Sequence, residues 1–280
     1  MDQRRLTGEL GLVLVTVIWG STFIITKLGL AQVSPFTFLA IRFILAFAVL
    51  MLAFGKQVFR AGRKAWLGGA TIGLILFLGY ATQTAGLQYT TAAKSGFITG
   101  LSVILTPILA IFILKQRASF NVIAGALLAF LGLAVMAYNP EITTGVNFGD
   151  MLTLFCALAF AFHITVVGKF APDLHPGVFT TIQMGTAGAG FCIMSLLFEH
   201  WPTQATTWTW IGLAYMGIVA TAVVLFIQNW AQKFTTASRT AIIFTLEPVF
   251  TAIFAYFILH EDFTLRTLLG GAYPQNSPPW

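Results

Sequence analysis

The chain reads as an all-α polytopic membrane protein made of two inverted five-helix repeats, a ten-helix plan with nine complete spans and a truncated tenth. Three observations carry that reading. The 280 residues are 58% hydrophobic and 9% charged, with a mean hydropathy of +0.86, whereas a soluble domain carries about 25% charged residues. The apolar residues fall into runs of about 20, the length of helix that crosses a hydrocarbon core. Third, Thr90 to Gln116 matches Thr235 to Glu261 without a gap at a shift of 145 positions. That shift pairs Thr90 with Thr235, Lys94 with Arg239, Leu101 with Leu246 and Gln83 with Gln228. Self-similarity at half the chain length marks a duplicated membrane fold.

The spans are expected at about Gly8 to Leu28, Pro35 to Phe54, Ala65 to Gly86, Ser95 to Leu114, Val122 to Ala137, Gly149 to Phe170, Gly177 to Phe198, Trp208 to Gln232 and Ser238 to Leu259. The first has a basic start, as a signal peptide does. Its apolar run continues to Leu28 with no small-x-small site after it, so it reads as a retained helix. Connections are short and leave no room for a soluble domain. Residues 264–272 are expected to form only a stub, because the following YPQNSPPW has three prolines and no apolar continuation, which suggests a truncated or frame-shifted end or a native shortened form.

Lys and Arg set the orientation. With the amino terminus in the cytoplasm, Arg4, Arg5, Lys56, Arg60, Arg63, Lys64, Lys115, Arg117, Lys169, Lys233 and Arg239 fall inside, against Lys27, Lys94 and Arg266 outside. An odd number of helices per copy then inverts the second copy. The opening helices align at a shift of 141, which pairs Gly8-Glu9 with Gly149-Asp150, Pro35 with Pro176, Thr22 with His163 and Arg42 with Gln183. The copies are therefore about 1–140 and 146–280.

Several functions are disfavoured. A net charge of +6 and a pI near 9.6 would suit nucleic acid only if the basic residues shared one soluble face, and here they sit in short loops between apolar runs. Cys156 and Cys192 lie inside spans and belong to no disulfide framework or metal pattern. No cofactor and no metal is expected. An intramembrane enzyme needs paired acids or a nucleophile with its base, a channel needs charge rings or a carbonyl filter, and neither pattern is evident. No ATP-binding loop is present.

Polar residues inside spans are the candidate site. Glu247 is the acid deep in a span, about 13 Å along its helix at 1.5 Å per residue. It reads either as a site for a proton or a substrate ammonium, or as the buried ion-pair partner of Arg42. Tyr80, Gln83 and Thr84 share one helical face, and Thr221, Gln228 and Gln232 another. These faces are expected to line a cavity, the alternative being hydrogen bonds that only hold helices together. Trp19 and Trp230 offer aromatic walls or packing. His163 offers a proton relay, a donor to a substrate carboxylate, or a structural histidine satisfied by a backbone carbonyl. Lys94 and Arg239 read as residues that snorkel to their interfaces, or as a symmetric pair of gates.

WGSTF at Trp19 to Phe23, Pro35, Arg42, the paired TTA and FIL landmarks, and Glu247-Pro248 followed by Glu261 resemble the EamA branch of the drug/metabolite transporter superfamily. The resemblance implies ten helices in two inverted repeats, a cavity between them, and export of small metabolites, often amino acids, across a bacterial inner membrane. The expected partners are a small-molecule substrate and membrane lipid, with monomer and homodimer both open.

Overall fold

A computed structural model of the chain describes residues 3–90, 95, 98–115, 120–137, 147–200, 205–247, 249–250, 253–254 and 257. Every regular element among these is helical: α1 (Gln3–Leu30), α2 (Pro35–Phe59), α3 (Arg63–Gly86), α4 (Ser102–Leu114), α5 (Phe120–Ala137), α6 (Phe148–Phe170), α7 (Pro176–Phe198), α8 (Thr207–Ala231) and α9 (Ala237–Phe244). Six of them, α1 to α3 and α6 to α8, are long and apolar enough to cross a membrane. The chain is a multi-pass membrane protein. The expected stub at 264–272, Lys94, Pro248 and Glu261 lie outside the described residues.

Local chemistry explains where helices begin. Pro35 and Pro176 occupy the first turns of α2 and α7, where a missing N–H costs nothing. At the start of α6, Asn147 and Asp150 exchange side-chain bonds with each other's backbone N–H, both at 2.9 Å, a reciprocal cap. Thr206 and Thr236 cap α8 and α9. α1 and α2 run past their expected ends, to Gln3 and to Phe59, because polar and basic residues continue a helix beyond the hydrocarbon. The fourth and ninth expected spans are each interrupted. Leu101 N–H bonds Ile98 O at 3.1 Å and Leu246 N–H bonds Ile243 O at 3.0 Å, tight i→i−3 turns at the same register in the two copies.

The packing has a regular pattern. α2 lies along α7 at the centre, α3 packs on α6 and α7, α8 packs on α1 and α2, α4 on α6, α9 on α1, and α4 on α9. Replacing each helix by the one five places away turns these pairs into one another. Between α2, α3, α7 and α8 sits a core of Leu39, Phe43, Leu76, Met184, Phe191 and Leu225. Leu52, Leu196 and Leu197 are exposed around the outside, as a lipid-facing surface requires.

The correspondence extends to atoms. A Cβ on Gly149 would stand 2.6 Å from Gly86 O, and one on Gly8 would stand 3.3 Å from Ala231 O. A Cβ on Gly73 would meet Gln183 O at 2.6 Å, and one on Gly217 would meet Arg42 O at 3.0 Å. These glycines let backbones touch where lipid gives helices no hydrophobic reason to associate.

Candidate functional site

α2 carries Arg42 seven residues past Pro35, about 10 Å into the bundle at 1.5 Å per residue, and the residue is 4% exposed. Its Nε donates to Thr221 Oγ1 at 2.6 Å, and its Cζ lies 5.1 Å from the Tyr80 ring centre. Glu247 is within electrostatic reach of both Arg42 and Tyr80. Three helices, α2, α3 and α8, and the chain just after α9 thus converge on one cation.

Thr221 is positioned by a local widening of α8. Residues Ile218–Val223 form a π-helical segment, and the Thr221 hydroxyl donates five residues back, to Met216 O at 2.7 Å. Such turns are often found at functional sites. α1 clamps this segment: Trp19 Nε1 donates to Ala220 O at 3.0 Å, and Ser21 shares a hydrogen bond with the Tyr215 hydroxyl at 2.7 Å. The WGSTF stretch therefore holds α1 against the distorted turn of α8. Trp19 also packs edge-on against Phe244 at 5.1 Å.

A second polar cluster fills the seam of α6, α7 and α8. Asn229 Nδ2 donates to Thr180 Oγ1 at 2.7 Å and to Gln183 Oε1 at 2.9 Å. Gln183 Nε2 bonds His163 Nε2. Gln228 Nε2 donates to Gln232 Oε1 at 3.2 Å, and Gln232 Nε2 donates to Ile164 O at 2.8 Å. Gln183 holds in α7 the place Arg42 holds in α2, seven residues past the helix-opening proline. The two clusters enter from opposite ends of the bundle.

The residues singled out from sequence are thus divided. Arg42, Tyr80 and Glu247 come together, with Thr221. His163 and Gln228 belong to the second cluster. Gln83 turns away from Tyr80 toward Thr99, which it approaches at 3.4 Å, and Thr84 is buried at 6% exposure. Trp230 packs edge-on against Phe234 at 5.4 Å and against Gly11 of α1, joining neither cluster. The face expected to join Thr221 with Gln228 and Gln232 is split because the π turn lies between them and shifts the helical register.

Gln183, Asn229 and Thr180 were not picked out as site residues. The one available signal was that Gln183 is the repeat mate of Arg42. Clefts of about 420 and 350 Å³ lie at the starts of α2 and α7, beside Ser34 to Phe36 with Glu199 and beside Asp173 to His175 with Arg60.

The EamA-like transporter family matches the chain twice, over residues 6–138 and 147–273. A protein of Archaeoglobus fulgidus described as an uncharacterized transporter is 36% identical over 264 residues, spanning 93% of this chain and 81% of its own. The uncharacterized transporter YyaM of Bacillus subtilis is 28% identical over 86% of this chain and 82% of its own. A crystal structure shares the fold with a TM-score of 0.80 at 18% identity, covering 94% of this chain and 92% of that one.

Proposed function

The chain belongs to the EamA-like transporter family, and on that premise we propose that it is a secondary transporter exporting small polar or amphipathic metabolites, amino acids foremost. In this reading it works by alternating access between two inverted five-helix halves, about 1–140 and 146–280. The observation that carries the reading is the buried Arg42 at the joint of the halves, held by Thr221 and Tyr80 with Glu247 nearby. A guanidinium over an aromatic ring, out of water, is a receptor for a carboxylate. The paired contacts of α3 with α6 and of α8 with α1 support the inversion. Two copies related in this way can exchange conformations and so open the site to either side.

Glu247 supplies the coupling. Ionised, it holds the ammonium of a substrate whose carboxylate is on Arg42. A proton arriving from the outer side neutralises Glu247 and releases the substrate there, so proton entry and substrate export exchange. The amino terminus lies in the cytoplasm, on the side rich in Lys and Arg, and the membrane is the bacterial inner membrane. Family membership favours transport over an intramembrane enzyme or a channel.

The test is uptake of labelled amino acids and related metabolites into proteoliposomes, with and without an imposed pH gradient. The expected result is saturable uptake that responds to the gradient, with the response lost in Glu247→Gln. A full gradient response in that variant removes Glu247 from the coupling, and no uptake of any amino acid removes the substrate class.

A further inference from the structure

We infer that the seam of α6, α7 and α8 holds a second recognition site, one that takes the protonated amine end of a ligand through the side-chain oxygens of Gln228 and Asn229. The inference deepens the transport reading and rests on it only for the use the site serves. The four side chains that build the site, His163, Gln183, Gln228 and Asn229, are exposed by 3%, 0%, 1% and 0%. Their amide donors are engaged within the cluster. Asn229 Nδ2 serves Thr180 and Gln183, Gln183 Nε2 serves His163 Nε2, and Gln228 Nε2 serves Gln232. A histidine that accepts at Nε2 carries its proton on Nδ1 and is neutral.

What remains unmatched is of one kind. Gln228 Oε1 and Asn229 Oδ1 are buried with no hydrogen-bond partner. A buried carbonyl without a donor is costly, and more so where lipid surrounds the protein. Both unmet groups are acceptors, so the site calls for a ligand rich in donors. A primary ammonium brings three. A carboxylate brings only further lone pairs and is rejected. No carboxylate among the described residues bonds to the cluster, so a cation is held by amide dipoles, firmly enough to enter and loosely enough to leave.

This chemistry complements that of Arg42, which suits an anionic group. Thr221, the partner of Arg42, and Asn229 are eight residues apart on α8, about 12 Å at the helical rise. That is longer than a small zwitterion, so the two sites hold its two ends in succession as it passes.

The experiment is calorimetric titration of the purified full chain in detergent with n-butylammonium chloride and with sodium butyrate. The expected result is saturable binding of butylammonium that weakens about tenfold in Gln228→Met, which keeps side-chain length and removes the acceptor, with butyrate binding unchanged. Gln228→Glu should tighten butylammonium binding about tenfold. The empty Gln228→Met protein should unfold at the same temperature as the parent or higher, since it has lost an unmet polar group. Absence of saturable butylammonium binding to the parent would mean that water alone meets these oxygens, and would overturn the proposal. So would equal binding by the parent and Gln228→Met. Failure of the transport reading shows separately, as saturable amine binding without amino-acid uptake in proteoliposomes.

Discussion

At one end of the bundle Lys64 donates to Asp173 at 2.6 Å, and at the other Thr209 donates to Gln32 at 3.0 Å. The two contacts stand in the same register: Lys64 and Thr209 are 145 positions apart, and Gln32 and Asp173 are 141 apart. Glu9 with Thr235 and Asp150 with Thr90 repeat the lesson, each an acid near the start of a copy's first helix accepting from the hydroxyl of a TTA motif, at 3.2 and 2.7 Å. Contact geometry has been kept while the chemistry has diverged. An ion pair stands at the end rich in Lys and Arg, and a neutral pair at the other. The deepest divergence is in charge, since one position holds Arg42 in the first copy and Gln183 in the second.

The largest effect is expected from removing that divergence. Arg42→Gln gives α2 the residue type of α7 and deletes the buried cation. A hydrogen bond to a charged group is worth about 1.5–3 kcal/mol, so affinity for a carboxylate-bearing substrate should fall about 10- to 100-fold, as read from the concentration dependence of uptake. Unchanged affinity in a folded variant would make Arg42 a strut.

A middling effect is expected at the helix crossings. Gly73→Ala drives a methyl group to 2.6 Å from Gln183 O, and Gly217→Ala drives one to 2.7 Å from Leu45 Cβ and 3.0 Å from Arg42 O. Overpacking of this kind costs about 1–3 kcal/mol. Both variants should lower the unfolding midpoint by similar amounts, and a large inequality would break the structural equivalence of the two copies. The smallest effect is expected at Lys64 and Asp173, whose side chains are 62% and 57% exposed. Solvent screens such a pair, so Lys64→Gln should leave both the unfolding midpoint and uptake unchanged.

For every helix but α4 and α9 the sequence placed both ends to within a few residues, because lipid imposes a hydropathy threshold and a length on each span. The breaks near Leu101 and Leu246 escaped it, since apolar residues continue through both turns. Arg42 and Glu247 stood out because a charge in an apolar run is costly. The Gln183–Asn229 pair did not, because the two amides sit on different spans 46 residues apart and only the packing of α7 on α8 joins them. Trp230, read as an aromatic wall or as packing, lies against Phe234 and Gly11 and bonds to neither cluster.

The inversion is tested most directly by labelling the two positions that correspond across it. In a chain whose Cys156 and Cys192 are replaced by alanine, Gln32→Cys and Asp173→Cys place single thiols at equivalent exposed ends of the two copies. A membrane-impermeant maleimide added to intact bacterial cells should label the thiol at position 32 and reach position 173 only after lysis. Labelling of both from the same side would contradict the inverted pair of halves, and with it the account of alternating access.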